Sequence, residues 1–206
     1  MKTAILKFTA IAAACLLSLP AAAAVDFTSE VTGTKADGYT VGGISFYNTV
    51  ASGYMDVGDY GLQSLGNAIG AFDDLNGNAL KMTFSPTSVI SMAFGNDDPD
   101  FTNPGDLALL QVYSGATIVG FSTVVLNRDD IMNQSISFSG SSFDSAIFSY
   151  VDPSFSPYTG GGGTSIGLIE LVDNISLVPE PETYAMLLAG LGLLGFMARR
   201  RKESAV

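Results

Sequence analysis

Ser88-Val89-Ile90-Ser91-Met92-Ala93-Phe94 sets Ile90, Met92 and Phe94 at alternate positions, with the small residues Ser91 and Ala93 between them. Successive side chains of an extended chain point to opposite faces. This segment therefore reads as a strand with one face buried and one in water. Ser135-Ile136-Ser137-Phe138-Ser139 repeats the pattern with three serines. Outward from these two, short alternating runs are separated by Gly, Asn, Asp, Ser and Pro, and no long segment has a helical apolar period. The expected strands are Phe27–Thr32, Tyr39–Tyr47, Ala79–Ser85, Ser88–Gly95, Leu107–Tyr113, Thr117–Leu126, Gln134–Ser139, Phe143–Val151 and Ile166–Leu177. Tyr113–Thr117 and Asn76-Gly77-Asn78 read as turns. Strands at this spacing predict an all-β fold: a two-sheet antiparallel β-sandwich of the jelly-roll kind.

Composition narrows the chemistry. The 206 residues carry nine Lys+Arg against twenty Asp+Glu, a net charge of −11. A chain this acidic is a poor partner for nucleic acid, which needs a basic surface. There is no His and only one Cys, so a Ser-His-Asp triad, a His-ligated zinc site and an internal disulfide are all excluded.

Both ends read as addresses. Lys2 and Lys7 precede an apolar stretch from Phe8 to Leu19, then Pro20 and four alanines. This is the order of a secretory signal, cut after Ala24 to leave Val25 as the mature start. A retained helix is the alternative, although the run is short and Pro20 interrupts it. Cys15 follows Ala12-Ala13-Ala14, without the Leu of a lipoprotein signal. At the other end, Pro179-Glu180-Pro181 precedes an apolar run, Met186 to Ala198, and then Arg199-Arg200-Arg201-Lys202. The run is short of the roughly twenty residues of a full span, and its glycines allow close helix approach. The basic cluster would hold the far end in the cytoplasm. The expected division is a signal peptide (1–24), an exported acidic domain (25–178) and a C-terminal tail with a transmembrane helix (179–206).

The tail resembles the PEP-CTERM sorting signal of Gram-negative bacteria, with Pro179, Glu180 and Pro181 as the motif and Arg199, Arg200, Arg201 and Lys202 as the basic end. The resemblance implies recognition by an exosortase, a membrane-embedded cysteine protease. It implies transient anchoring in the inner membrane, then delivery to the cell surface or an exopolysaccharide and biofilm matrix. A plain tail anchor after a Pro-rich linker is the alternative. The middle is similar to the lectin-like or carbohydrate-binding jelly rolls of such proteins. That similarity rests on Phe94-Gly95-Asn96-Asp97, Gln111-Val112-Tyr113, Ser137-Phe138-Ser139-Gly140 and Glu170–Ile175.

Residues 25–178 contain seventeen acids but only Lys35, Lys81 and Arg128 as basic residues, a net of −14. Three places there are candidates for chemistry. On strict alternation Asp173 shares the apolar face of Ile169, Leu171, Ile175 and Leu177. A bare carboxylate there needs donors or a cation. It is either an acceptor of backbone N–H groups at a bulge or, with Asp26 or Glu30 from the first strand, a calcium site. Tyr54, Asp56, Asp59 and Tyr60 lie in a long stretch, Asn48 to Asn78, that also holds Asp73, Asp74 and Asn76. Rings beside acids are what a glycan contact needs, and a solvated loop is the alternative. Asn96-Asp97-Asp98-Pro99-Asp100 is a solvated acidic loop or a calcium chelator. Seventeen acids make chance carboxylate pairs easy to find, so glycoside hydrolysis is the third-ranked reading. A non-enzymatic surface or matrix protein ranks first, and a calcium-assisted carbohydrate-binding module second.

Overall fold

The computed structural model describes residues 24–72, 78–155, 168–179, 189–192 and 194. The expected signal segment up to residue 23 lies outside the described residues. So do Asp73, Asp74, Asn76, Glu180, Pro181 and Arg199–Lys202. Residues 189–192 and 194 are helical and exposed, and among the described residues no helix is long and apolar enough to cross a membrane.

The described chain is almost entirely antiparallel β. Its strands are β1 (Ala24–Val25), β2 (Gly33–Lys35), β3 (Tyr39–Val41), β4 (Ile44–Asn48), β5 (Tyr54–Asp59), β6 (Asn67–Phe72), β7 (Leu80–Gly95), β8 (Leu107–Ser114), β9 (Thr117–Val125), β10 (Gln134–Val151) and β11 (Glu170–Pro179). All eleven belong to one hydrogen-bonded sheet in the order β2-β5-β6-β11-β7-β10-β8-β9, with β1 on β11 and the β3–β4 hairpin on β7.

Two expected strand breaks are corners rather than ends. Ser85-Pro86 interrupts the apolar pattern, yet β7 runs through it for 16 residues. Proline has no N–H to give a ladder, so it suits a place where pairing lapses. Pro86 falls in such a gap. β4 pairs with β7 from Leu80 to Thr83, and β11 takes over from Thr87 to Gly95. β10 bends alongside, with register shifts between Ser139 and Phe143 and between Phe143 and Ser145. Buried residues from both parts of β7 and of β10 join one main core. Phe94 packs on Phe148 and Tyr150 at ring distances of 5.6 and 6.3 Å, and Phe84 meets Phe143 at 5.9 Å beside the corner. The fully buried Tyr150 donates its hydroxyl to the Gly95 carbonyl.

Three other expectations are corrected. Phe27–Thr32 is not a strand. Phe27 has φ 53°, Glu30 N donates to its carbonyl at 2.9 Å, and its ring plugs the core against Phe46. Tyr39–Tyr47 is a hairpin, not one strand. Gly42 and Gly43 take φ of 57° and 81°, and a Cβ on Gly42 would stand 2.3 Å from the Val25 side chain. The stretch from Asn48 to Asn78 holds the β5–β6 hairpin. Met55 and Val57 are its buried alternate residues, two apolar positions being too few to stand out in the sequence.

Candidate functional site

The β5–β6 hairpin assembles most of the residues expected to meet a glycan. Cross-strand register sets Tyr54 opposite Phe72 and Asp56 opposite Gly70. The Tyr54 and Phe72 rings stack at 5.0 Å with 5° between their planes, and the Tyr60 ring lies 6.0 Å from Phe72, tilted by 40°. Tyr60 donates its hydroxyl to Asp56 Oδ2 at 3.3 Å. Burial and the Asp56 charge push the Tyr60 hydroxyl well above the usual phenol range, so it stays a donor. Tyr54 is 49% exposed and offers a ring to the surface. Glycine is needed opposite Asp56. A Cβ on Gly70 would come 2.6 Å from Leu171 and 2.8 Å from the Phe72 ring. Asp59 does not join the group. It follows Gly58 on the opposite parity, and its carboxylate accepts Gly61 N at 2.9 Å.

Two residues of this patch were not among the expected site residues. Phe72 completes the stack, and only the strand register reveals it. Asn48 fixes the hairpin's open end. Its side-chain amide donates to the carbonyls of Tyr54 at 3.1 Å and Phe72 at 2.9 Å, and its Oδ1 accepts Val50 N at 2.9 Å.

The structure brings part of the expected calcium group together. Asp173 is 1% exposed, but β11 has a bulge between Asp173 and Ser176, where Asn174 takes φ 50°. The extra residue inverts the parity of the strand. Val172 and Ile175 enter the main core, while Leu171 packs in a small separate cluster with Ala68 and Met132. Asp173 therefore does not share a face with Ile175. Its Oδ1 accepts Asn174 N at 2.7 Å, the bulge arrangement weighed against calcium. Pairing of β1 with β11 does bring the ends of the domain together. Asp26 is close enough to act on Asp173, while Glu30, which lines one pocket with Asp26, accepts the Tyr39 hydroxyl at 2.5 Å. Among the described residues no group of three or more acids stands placed to hold a metal ion.

Burial pushes the Asp173 carboxyl up to about 6. The Asn174 N–H works against that shift and the Asp26 charge adds to it. A raised carboxyl binds its proton more tightly when folded, so its contribution to stability is present below about pH 4 and is lost as pH rises through 6. Asp173→Asn keeps the Oδ1 acceptor and cannot ionise. It is expected to stabilise the domain by about 1–2 kcal/mol at neutral pH and by nothing near pH 4. Thermal melts at the two pH values check this, and an equal effect at both would refute it.

The acidic loop is not simply solvated. Asp97 is 1% exposed and accepts Arg128 N at 2.6 Å and Asp130 N at 2.9 Å. The Arg128 guanidinium binds Thr102 and the Pro99 carbonyl. Asp98 caps its own loop by accepting Asp100 N at 2.7 Å. The loop is a structural clasp between residues 96–106 and 126–133.

The folded part is thus an acidic, all-β domain with an aromatic patch, ending in a strand that runs into Pro179. The chain carries the PEP-CTERM protein-sorting motif, whose family model matches residues 177–202. It is an exported protein, transiently anchored in the membrane and processed by exosortase. No curated protein matches the chain. Among solved structures it is similar to the CBM22-1 xylan-binding domain of Paenibacillus barcinonensis Xyn10C, at 10% identity over 77% of this chain and 94% of that one, TM-score 0.42. It is also similar to a DUF4465 family protein from Bacteroides caccae, at 13% identity over 77% of this chain and 99% of that one, TM-score 0.42. Likenesses this distant carry no argument about function.

Proposed function

We propose that the exported domain is a non-catalytic module of the cell surface or extracellular matrix that docks on exopolysaccharide through the β5–β6 aromatic patch. Its folded-over sheet is read as the two layers of a jelly roll. The producing cell is Gram-negative, and the module is set in its biofilm matrix once exosortase has released it from the inner membrane. The observation that carries the reading is the Tyr54–Phe72 stack, open to the surface on the Tyr54 side, with Asp56 and Tyr60 beside it. Flat rings cover the apolar face of a pyranose, and neighbouring carboxylate and phenol groups bind its hydroxyls. A non-catalytic role is supported by the use of the acids. Asp97 and Asp173 accept backbone N–H groups, and Asp56 and Glu30 accept phenols. The net charge of −14 on residues 25–178 favours a neutral glycan over an acidic one.

Cosedimentation of the processed protein with the producing cell's polysaccharide tests this. Saturable pelleting is expected, unchanged by EDTA. Tyr54→Ala and Tyr60→Ala should each weaken it about three- to tenfold, the worth of one aromatic contact. Unaltered pelleting by both variants would remove the patch from the assignment.

A further inference from the structure

The aromatic patch holds carboxylates and no cation. Asp56 lies two residues along β5 from Tyr54, on the same face of the strand. The Tyr60 hydroxyl gives it one hydrogen bond, which leaves this half-buried carboxylate further acceptor sites. Asp37 is exposed and accepts Asn48 N at 3.0 Å, and the Asn48 amide in turn holds the Tyr54 carbonyl. The exposed Tyr54 ring therefore has one acid on its own strand face and a second at the hairpin's open end.

The three basic residues of the exported domain are committed elsewhere. Lys35 gives its ammonium to the Val31 carbonyl and holds it 5.1 Å from the centre of the Tyr39 ring. On β2 it is Thr34, not Lys35, that stands opposite Asp56. Lys81 lies over the Tyr47 ring at 5.9 Å, and Arg128 is bound into the clasp with Thr102 and Pro99. Between Lys35 and Lys81 the sequence has no basic residue. An electron-rich ring face and neighbouring carboxylates both attract positive charge, and the chain supplies none to this patch.

We propose that the glycan docked by this patch is a polymer of amino sugars with free ammonium groups, one of which seats between the Tyr54 ring and Asp56. The proposal rests on the docking reading above and names its ligand class. The apolar face of the sugar stacks on Tyr54, as that of any hexose would. A protonated amine on the same sugar adds attraction to the ring face and a charge-assisted hydrogen bond to Asp56, and acetylation of the nitrogen removes both. The net charge of −14 on residues 25–178 draws such a polymer in.

The test titrates the processed protein with chitosan tetrasaccharide and with its fully N-acetylated counterpart. Mildly acidic buffer keeps the amines protonated, and salt near ~0.15 M screens diffuse attraction beyond about 8 Å. The free-amine sugar should bind about tenfold more tightly. Asp56→Asn should weaken it about threefold and leave the acetylated sugar unchanged. Asp100→Asn, which removes an exposed acid on the 96–106 loop, should change neither. Equal binding of the two sugars, or no binding of the free-amine sugar, would overturn the ligand class. So would an equal loss with Asp56→Asn and Asp100→Asn, the mark of diffuse attraction by an acidic domain. Cosedimentation of Tyr54→Ala with the cell's own polysaccharide keeps the two readings apart. Pelleting that still depends on Tyr54 means that only the amino-sugar class has failed, and pelleting indifferent to Tyr54 removes the patch itself.

Discussion

Replacing Pro179, Glu180 and Pro181 together with alanine is expected to abolish processing and leave the full-length chain in the inner membrane. The sorting motif spans residues 177–202, so it begins inside β11 and not on a free linker. Pro179 is the last residue of β11, opposite Thr87. A proline there has no N–H to carry the ladder onward. Alanine at these positions lets the ladder continue or the apolar helix start early, and either hides the segment. Immunoblots of membrane and extracellular fractions read the result. Disappearance of the processed band is expected, while the melting temperature of the domain changes little. Normal processing of the triple variant would refute the role assigned to these three residues.

Asp97→Ala is expected to be the most damaging single change in the exported domain. The carboxylate satisfies two backbone N–H groups, on Arg128 and Asp130, in a loop where both residues take left-handed φ values of 60° and 57°. Neither conformation is favourable for a residue with a side chain, so the loop depends on its acceptor. Charge-assisted bonds to buried donors are worth about 1.5–3 kcal/mol each, and alanine leaves both donors unsatisfied. A loss of about 3–5 kcal/mol follows, a large part of the 5–15 typical of a folded domain. For a domain of this size that lowers Tm by about 10–15 °C. Asp98→Ala, a neighbour on the same loop that caps a single exposed N–H, should cost about 1 kcal/mol or less. Circular-dichroism melts of the two variants separate a structural clasp from a generally acid-sensitive loop, and equal shifts would contradict the assignment.

Much of this protein was legible in short segments. The all-β class follows from alternation such as Ile90, Met92 and Phe94, because a strand's two-residue period is written locally. The sorting tail follows from the order of a Pro-Glu-Pro motif, an apolar run and a basic end, each part recognisable without a fold. What the tertiary structure decided concerns residues far apart in the chain. Ser85-Pro86 and Gly140–Ser142 look like strand ends, and only the change of ladder partner from β4 to β11 shows that they are corners. One extra residue near Asn174 inverted the faces of β11 and took Asp173 away from Ile175, since alternation cannot be counted across a bulge. Asp97 owes its burial to amides about thirty residues away, and Tyr54 finds Phe72 only through register. Local pattern determines most of the strands and the sorting tail, but not the β5–β6 hairpin or the turn at Phe27. Which side chains then meet is settled by pairing and burial, because those energies arise only when distant segments come together.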